Sequence, residues 1–318
     1  MWILPAMLSA FMLGLYDVAK KRSLVDNAVL PVLLLSNVVS VLLFLPAIIA
    51  SQTGADWFVG SMFAFEKADA PTHLLCALKG VIVSSTWIFG FVGLKHLPLT
   101  IVGPINATRP VLVLLGSILI FGERLNLLQW VGVAVAVVSF YLLSRSSRRE
   151  GIDFRHNRWI WCMVGAVLTG AASALFDRVL MRSLNPVAVQ SWSNVYIMLI
   201  MTVVTLVAWL PRRRTSTPFR WRWSIVLISL FVSTADLAYF YALSLPDSML
   251  SIISLIRRTS VIVSFACGAI LFKEKNLRSK TLDVALLLLG LVLLLFGSFL
   301  FSPSVMPIFF ICQTVNYF

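Results

Sequence analysis

"LYDVAKKRSL" (residues 15–24) and "LFDRVLMRSL" (175–184) are two versions of one pattern, with Asp in third place and Arg-Ser-Leu in the last three. Working outward, the echo continues. Ser-Asn follows each copy, at Ser36-Asn37 and at Ser193-Asn194. "SSTWIFGFVGL" (84–94) aligns with "VSTADLAYFYAL" (232–243), and "ILIFGERLNL" (118–127) with "AILFKEKNL" (269–277), around Glu123 and Glu274. The chain is therefore read as a repeat of two similar halves, 1–145 and 159–301. The basic linker 146–158 joins them, and an uncharged tail, 302–318, follows.

The medium of those halves follows from composition. Of 318 residues, 59% are hydrophobic and only 12% are charged, about half the charge of an ordinary soluble domain. Apolar runs long enough to cross hydrocarbon lie at 2–19, 29–50, 74–94, 98–121, 126–144, 159–181, 187–210, 223–243, 247–272 and 281–301. A segment that spans a bilayer must be helical, because its backbone N–H and C=O groups find no water there. The expected fold is an all-α membrane protein of ten transmembrane helices in two five-helix repeats. Five is odd, so the second repeat crosses the membrane in the opposite sense to the first. Inverted repeats of this kind put a binding site where the halves meet, near the midplane.

The formal net charge of +13 would suggest nucleic acid in a soluble protein. Here loop retention on the cytoplasmic side explains it, and no nucleic-acid partner is expected. Eighteen basic residues lie in the odd-numbered loops: Lys20, Lys21, Arg22, Lys95, Arg145, Arg148, Arg149, Arg155, Arg158, Arg212, Arg213, Arg214, Arg220, Arg222, Lys273, Lys275, Arg278 and Lys280. The even-numbered loops hold four, Lys67, Arg124, Arg178 and Arg182. This bias places the odd loops in the cytoplasm and both termini outside.

Cys76, Cys162 and Cys267 lie in apolar runs, Cys312 lies in the tail, and His73, His96 and His156 stand singly. None has metal-ligand spacing, and neither a metal nor a cofactor is expected. "MWILPAMLSAFMLGLYDVAKK" lacks a basic start and gives no sign of a cleaved leader. "NAT" at 106–108 is formally a glycosylation sequon, read as chance inside a helix.

Ten apolar segments in two repeats, with "GSILIFGERLNLLQW" (116–130) ending the fourth and "GAILFKEKNLRSK" (268–280) echoing it, resemble the drug/metabolite transporter superfamily and, more narrowly, its EamA-type members. The resemblance covers residues 1 to about 301. It implies a transporter in the bacterial inner membrane that exports amino acids, other metabolites or drugs. It implies cytoplasmic termini, against the charge bias, and it makes Glu123 and Glu274 structural hallmarks. Lys273 stands where the first repeat has Gly122, a departure from the family pattern.

Charges inside apolar runs are costly, and they mark pathways more often than bulk structure. Arg109, Asp236, Arg257 and Arg258 lie deepest, and Asp17 and Asp177 sit nearer segment ends at matching repeat positions. A carboxylate in a low-dielectric site can titrate in the working range, so Asp17 and Asp177 are proton-coupling candidates. The alternative is an interfacial ion pair with Lys20 or Arg178. Adjacent helical residues diverge by about 100°, so one of Arg257 and Arg258 can bind an anionic group while Asp236 holds the other. The expected substrate site comprises Arg109, Asn106, Trp87, Asp236, Tyr239, Arg257 and Arg258, with a small anionic or zwitterionic molecule as partner. Pro104 and Pro110 bracket Asn106 and Arg109, and a kink there would free carbonyls beside the site.

The function read from these residues is secondary transport of a small polar metabolite such as an amino acid. No GxxxxGK[ST] loop occurs for ATP-driven work. A membrane enzyme or scaffold handling a phosphate-bearing, lipid-linked molecule is the alternative, where the arginines would hold phosphate. No His–Asp cluster, metal spacing or GxSxG elbow supplies the enzyme's chemistry.

Overall fold

The computed structural model of the chain describes residues 2–24, 26–58, 60–61, 63–96, 105, 108–122, 125–145, 158–213, 215, 217–260, 262–263, 266–267, 285–286, 288–290, 292–293 and 296. Nine α-helices are described: α1 Ile3–Leu24, α2 Val29–Thr53, α3 Ala70–His96, α4 Arg109–Phe121, α5 Leu127–Arg145, α6 Arg158–Ser183, α7 Pro186–Val204, α8 Ser224–Ser244 and α9 Leu250–Arg258. Further helical residues occur between 260 and 296. Six of the described helices are long and apolar enough to cross a membrane: α1, α2, α3, α6, α8, and α7 with its continuation to Arg212.

Helix ends follow from local chemistry. Asn185 accepts from the Val187 and Ala188 N–H groups, at 2.8 and 3.4 Å, and Pro186 takes the first turn of α7. That is the expected use of an N-cap followed by a proline. Asp69 caps α3 by accepting from the Thr72 N–H at 3.0 Å, and hydrogen bonds from Thr72 hold its carboxyl below the usual range. Gly122, in the "FGE" stretch, ends α4 with φ +64° and gives its N–H to the Ile118 carbonyl at 3.2 Å. A glycine takes this left-handed turn without the Cβ penalty. The kink expected between Pro104 and Pro110 falls mostly outside the described residues; α4 begins at Arg109, and Pro110 sits in its first turn, where a missing N–H costs nothing. Pro104 lies outside the described residues, as do Glu123, Glu274, the linker to residue 157 and the tail.

The packing is mirrored between the halves. α1 lies along α8 and α6 along α3; α2 meets α8 and α7 meets α3; α9 meets α1 and α4 meets α6. Under the correspondence of α1 with α6, α2 with α7, α3 with α8 and α4 with α9, these six contacts form three matched pairs. Serines join α8 to both α1 and α2. Ser23 Oγ lies 2.6 Å from Ser224 Oγ, Ser229 Oγ donates to the Ser36 carbonyl at 2.6 Å, and Ser233 Oγ lies 3.2 Å from Ser40 Oγ. Small polar residues let membrane helices approach closely and supply interhelical hydrogen bonds. Gly14 of α1 shows how close: a Cβ there would lie 2.4 Å from Val263 Cβ and 2.8 Å from the Ser260 carbonyl. Large apolar side chains turn outward instead, among them Leu4, Leu119, Leu127 and Val207. Trp161, Trp221 and Trp223 are also exposed.

At the end of the bundle that carries the α1–α2 loop, the halves are latched. Asn27 Nδ2 donates to the Arg220 carbonyl at 2.7 Å, and the Arg220 N–H donates to Asn27 Oδ1 at 2.8 Å. Arg222 Nη1 adds a hydrogen bond to the Arg22 carbonyl at 2.7 Å. The mirrored position, between the α6–α7 turn and the segment after α2, carries a longer contact, Asn185 Nδ2 to the Ala64 carbonyl at 3.4 Å.

Candidate functional site

Charged side chains from five helices gather where the halves meet. Lys79 of α3 and Asp177 of α6 form a buried ion pair, with side chains 6% and 8% exposed. Arg257 of α9 donates from Nη2 to Asp236 Oδ1 of α8 at 2.6 Å, in a pair 19% and 31% exposed. Two consecutive aromatics of α8 lie against these pairs. Lys79 Nζ is 4.5 Å from the Phe240 ring centroid, and Arg257 Cζ is 4.1 Å from that of Tyr239. Each cation thus has a carboxylate and a π-face, the two partners that most favour a desolvated positive charge. Tyr239 is only 2% exposed, in the main hydrophobic cluster with Phe240, Ile252 and Ile256.

Arg109 and Arg258 differ from these. Arg109 Nη2 donates to the Gly170 carbonyl of α6 at 2.6 Å, a neutral acceptor. A Cβ on residue 170 would lie 2.6 Å from Arg109 Cζ, so the missing side chain of Gly170 makes room for the guanidinium. Arg258 is partly buried. Its electrostatic neighbours are Arg109, Arg257, Asp17 and Tyr239, and it makes no hydrogen bond or ion pair with another described residue. The divergence of neighbouring side chains on a helix thus gives Arg257 the Asp236 carboxylate and Arg258 a different set of neighbours, Asp17 among them. Arg109, Arg258 and Tyr239 face one another electrostatically, with the Lys79–Asp177 and Arg257–Asp236 pairs around them. A fork of fixed positive charge in that setting suits a carboxylate or phosphate group.

The other sequence candidates fall elsewhere. Trp87 packs with Leu33, Ile197 and Met201 of α2 and α7, so the structure gives it to an apolar cluster rather than to the arginines. Asn106 lies outside the described residues. Asp17 is exposed, within electrostatic reach of Lys20 and Arg258, while its repeat counterpart Asp177 is buried and paired. Arg178, a partner considered for Asp177, is engaged instead with the turn between α8 and α9. It donates from Nη1 to the Leu243 carbonyl at 2.7 Å and to Ser248 Oγ, and from Nη2 to the Ser248 carbonyl at 2.5 Å.

Lys79 was absent from the candidates read off the sequence. A signal for it exists. The chain has 26 basic residues, and the loop tally leaves four inside apolar runs: Lys79, Arg109, Arg257 and Arg258. One lysine in the run from 74 to 94 needs an internal carboxylate, and Asp177 is that partner.

Residues 1–145 and 157–296 match the family model of the EamA-like transporter family. A curated relative from a Sinorhizobium species, described as an uncharacterized transporter in the cobO 3' region, is 34% identical over 73 residues. That alignment takes in 23% of this chain and 52% of the relative, so the chain spans about half the length of the relative it matches. A solved crystal structure superposes with a TM-score of 0.64 over 94% of this chain and 97% of the other, at 16% identity. That likeness is one of fold alone.

Proposed function

Because the chain belongs to the EamA-like transporter family, within the drug/metabolite transporter superfamily, and is a multi-pass membrane transporter, we propose that it is a secondary exporter of a small anionic metabolite in a bacterial inner membrane. It works by alternating access between two inverted five-helix repeats, ten transmembrane helices in all. The observation that carries this reading is the charged cluster across the junction of the halves. Lys79 and Arg109 come from the first matched stretch, and Asp177, Gly170, Asp236, Arg257 and Arg258 from the second. Substrate sites of inverted-repeat transporters lie at that interface. The mirrored helix contacts support the inverted arrangement. The tight Asn27–Arg220 latch, set against the looser Asn185–Ala64 contact, supports a molecule closed at the end carrying the α1–α2 loop.

In this account Arg258 and Arg109 hold the substrate anion and Tyr239 offers its hydroxyl, while Arg257 is kept in place by Asp236. Asp177 exchanges the coupling proton. When its carboxylate is protonated, Lys79 loses its counter-charge, and the α3–α6 seam between the halves loosens. Asp17, exposed beside Lys20, is the counterpart at the matching repeat position. The test uses proteoliposomes with an imposed pH gradient and, as probe, whichever radiolabelled anion the purified protein binds. Asp177→Asn is expected to abolish pH-driven accumulation and to leave equilibrium exchange at symmetric pH in place. Asp17→Asn is expected to have the smaller effect. Unchanged pH dependence in both variants removes them as coupling residues.

For orientation we follow the loop charges rather than the family habit and place both termini outside the cytoplasm. Eighteen basic residues against four is a strong bias. Alkaline phosphatase fused after Phe318 is expected to be active. An inactive fusion, with an active cytoplasmic reporter at the same point, reverses the assignment.

A further inference from the structure

We infer that the chain holds a zwitterionic phospholipid of its bilayer in a fixed site, with one acyl chain in a groove where the halves meet and the headgroup in a cavity beyond it. The site is separate from the charged cluster and does not depend on what the protein transports.

The groove has a volume of about 790 Å³ and is walled by α1, α2 and α8. From α8 it takes Leu230, Thr234, Leu237, Ala238 and Tyr241, the spacing of a single helix face. Leu4 and Leu8 of α1 and Leu43 of α2 line it too, and all three are exposed, so the groove opens sideways to lipid. Its Thr234 and Ser233 hydroxyls are already used. Thr234 Oγ1 donates to the Leu230 carbonyl at 2.8 Å, and Ser233 Oγ lies 3.2 Å from Ser40 Oγ. A lining this apolar gives water few partners. From Leu230 to Tyr241 the α8 stripe is about 16 Å long at helical rise. One leaflet of hydrocarbon is about 15 Å thick, half of the bilayer core. The groove thus has the chemistry and the length of one acyl chain.

A second cavity, of about 420 Å³, lies beyond it. The Ser229–Ser36 and Ser233–Ser40 contacts both pair residues 193 positions apart, so Tyr241 on α8 stands level with Ile48 on α2. Ala50, Ser51 and Gly54, further along α2, line the second cavity, and Phe63 lines both. The segment after α2 closes it with Phe58, Glu66 and Lys67. Trp57 of that segment is exposed, as suits an aromatic at headgroup depth. Among the described residues that line either cavity, Glu66 and Lys67 are the charged ones. One charge of each sign fits a headgroup that carries phosphate and ammonium together: Lys67 takes the phosphate and Glu66 the ammonium. A net anionic headgroup would bring Glu66 no cation.

The test is native mass spectrometry of the purified full chain after repeated delipidation in a neutral detergent. Melting curves with added phosphatidylethanolamine, phosphatidylglycerol or diacylglycerol accompany it. The wild type is expected to retain one phosphatidylethanolamine per chain. It should melt highest with that lipid, since a ligand bound only by the folded state raises the melting temperature. Thr234→Trp fills the groove and should release the lipid, and Leu8→Trp closes the same groove from its exposed rim should the first variant fail to fold. Leu119→Trp, on an exposed face of α4, should retain it. Lys67→Gln should weaken binding a few-fold, the scale of an exposed ion pair, and Glu66→Gln should shift the preference toward phosphatidylglycerol. Lipid retained alike by the wild type and both groove variants overturns the groove. Phosphatidylglycerol bound by the wild type as tightly as phosphatidylethanolamine overturns the zwitterionic headgroup, and retention of no phospholipid overturns the site.

Discussion

Replacing Lys79 by Met lowers the unfolding free energy by about 3–5 kcal/mol, the cost of leaving one charge of a buried pair without its partner. Among the described residues, Lys79 and Asp177 form a more buried ion pair than Arg257 and Asp236 do. Met fills the volume of the lysine stem but gives Asp177 no counter-charge. The lysine also covers the Phe240 ring, so part of the loss is packing and cation–π contact. Adding Asp177→Asn to Lys79→Met should recover most of the stability, since a neutral amide in place of the carboxylate removes the stranded charge. Denaturant-induced unfolding in mixed micelles measures both. A double variant as unstable as the single one would show that the pair contributes through packing alone. The parallel variant Arg257→Ala should cost less, because its pair is three to four times more exposed and water can screen what remains.

Arg258→Gln has the opposite profile. It removes a guanidinium that forms no ion pair with another described residue; repulsion from Arg109 and Arg257 is relieved while the attraction of Asp17 is lost, so the unfolding free energy should change little. Binding and transport of the anion should fall by at least about tenfold, as a charge-assisted contact is lost. Lys79 and Arg258 thus separate a structural charge from a functional one, although both are single cations within apolar segments. Binding titration beside a melting curve on the same preparation distinguishes them. A large stability loss in Arg258→Gln with unchanged affinity would assign Arg258 to the scaffold.

Much of this was legible in the residues. The doubled Asp and Arg-Ser-Leu pattern fixed the repeat, and apolar length fixed the helices, because a bilayer admits little else. The divergence of Arg257 and Arg258 also followed from helical geometry, and the choice of Asp236 as a partner from its being the deepest carboxylate in the sequence. Lys79 did not stand out because "LLCALKGVIV" reads as one continuous helical run. Its partner lies 98 positions away in the other half, and no local spacing connects them. Trp87 misled for the converse reason. Its depth in the segment suggested a cavity, but depth does not say which face of α3 it occupies, and that face meets α2 and α7. Pro110 takes the first turn of α4, a place a proline occupies without loss of a hydrogen bond. The unequal fates of Asp17 and Asp177, one exposed and one buried, show the limit of repeat reasoning: matching positions share a backbone, and their neighbours come from different sequences.

The central claim is that an anion crosses the membrane by way of Arg258. The most direct measurement is the transient current from full-length protein in liposomes on a solid-supported membrane after a jump in succinate or glycerol 3-phosphate concentration, with wild type and Arg258→Gln side by side. The account predicts a current for the wild type with the sign of net negative charge entering, reduced to background in Arg258→Gln at equal protein density. Equal currents from the two proteins, or no current from the wild type with either anion, would contradict it.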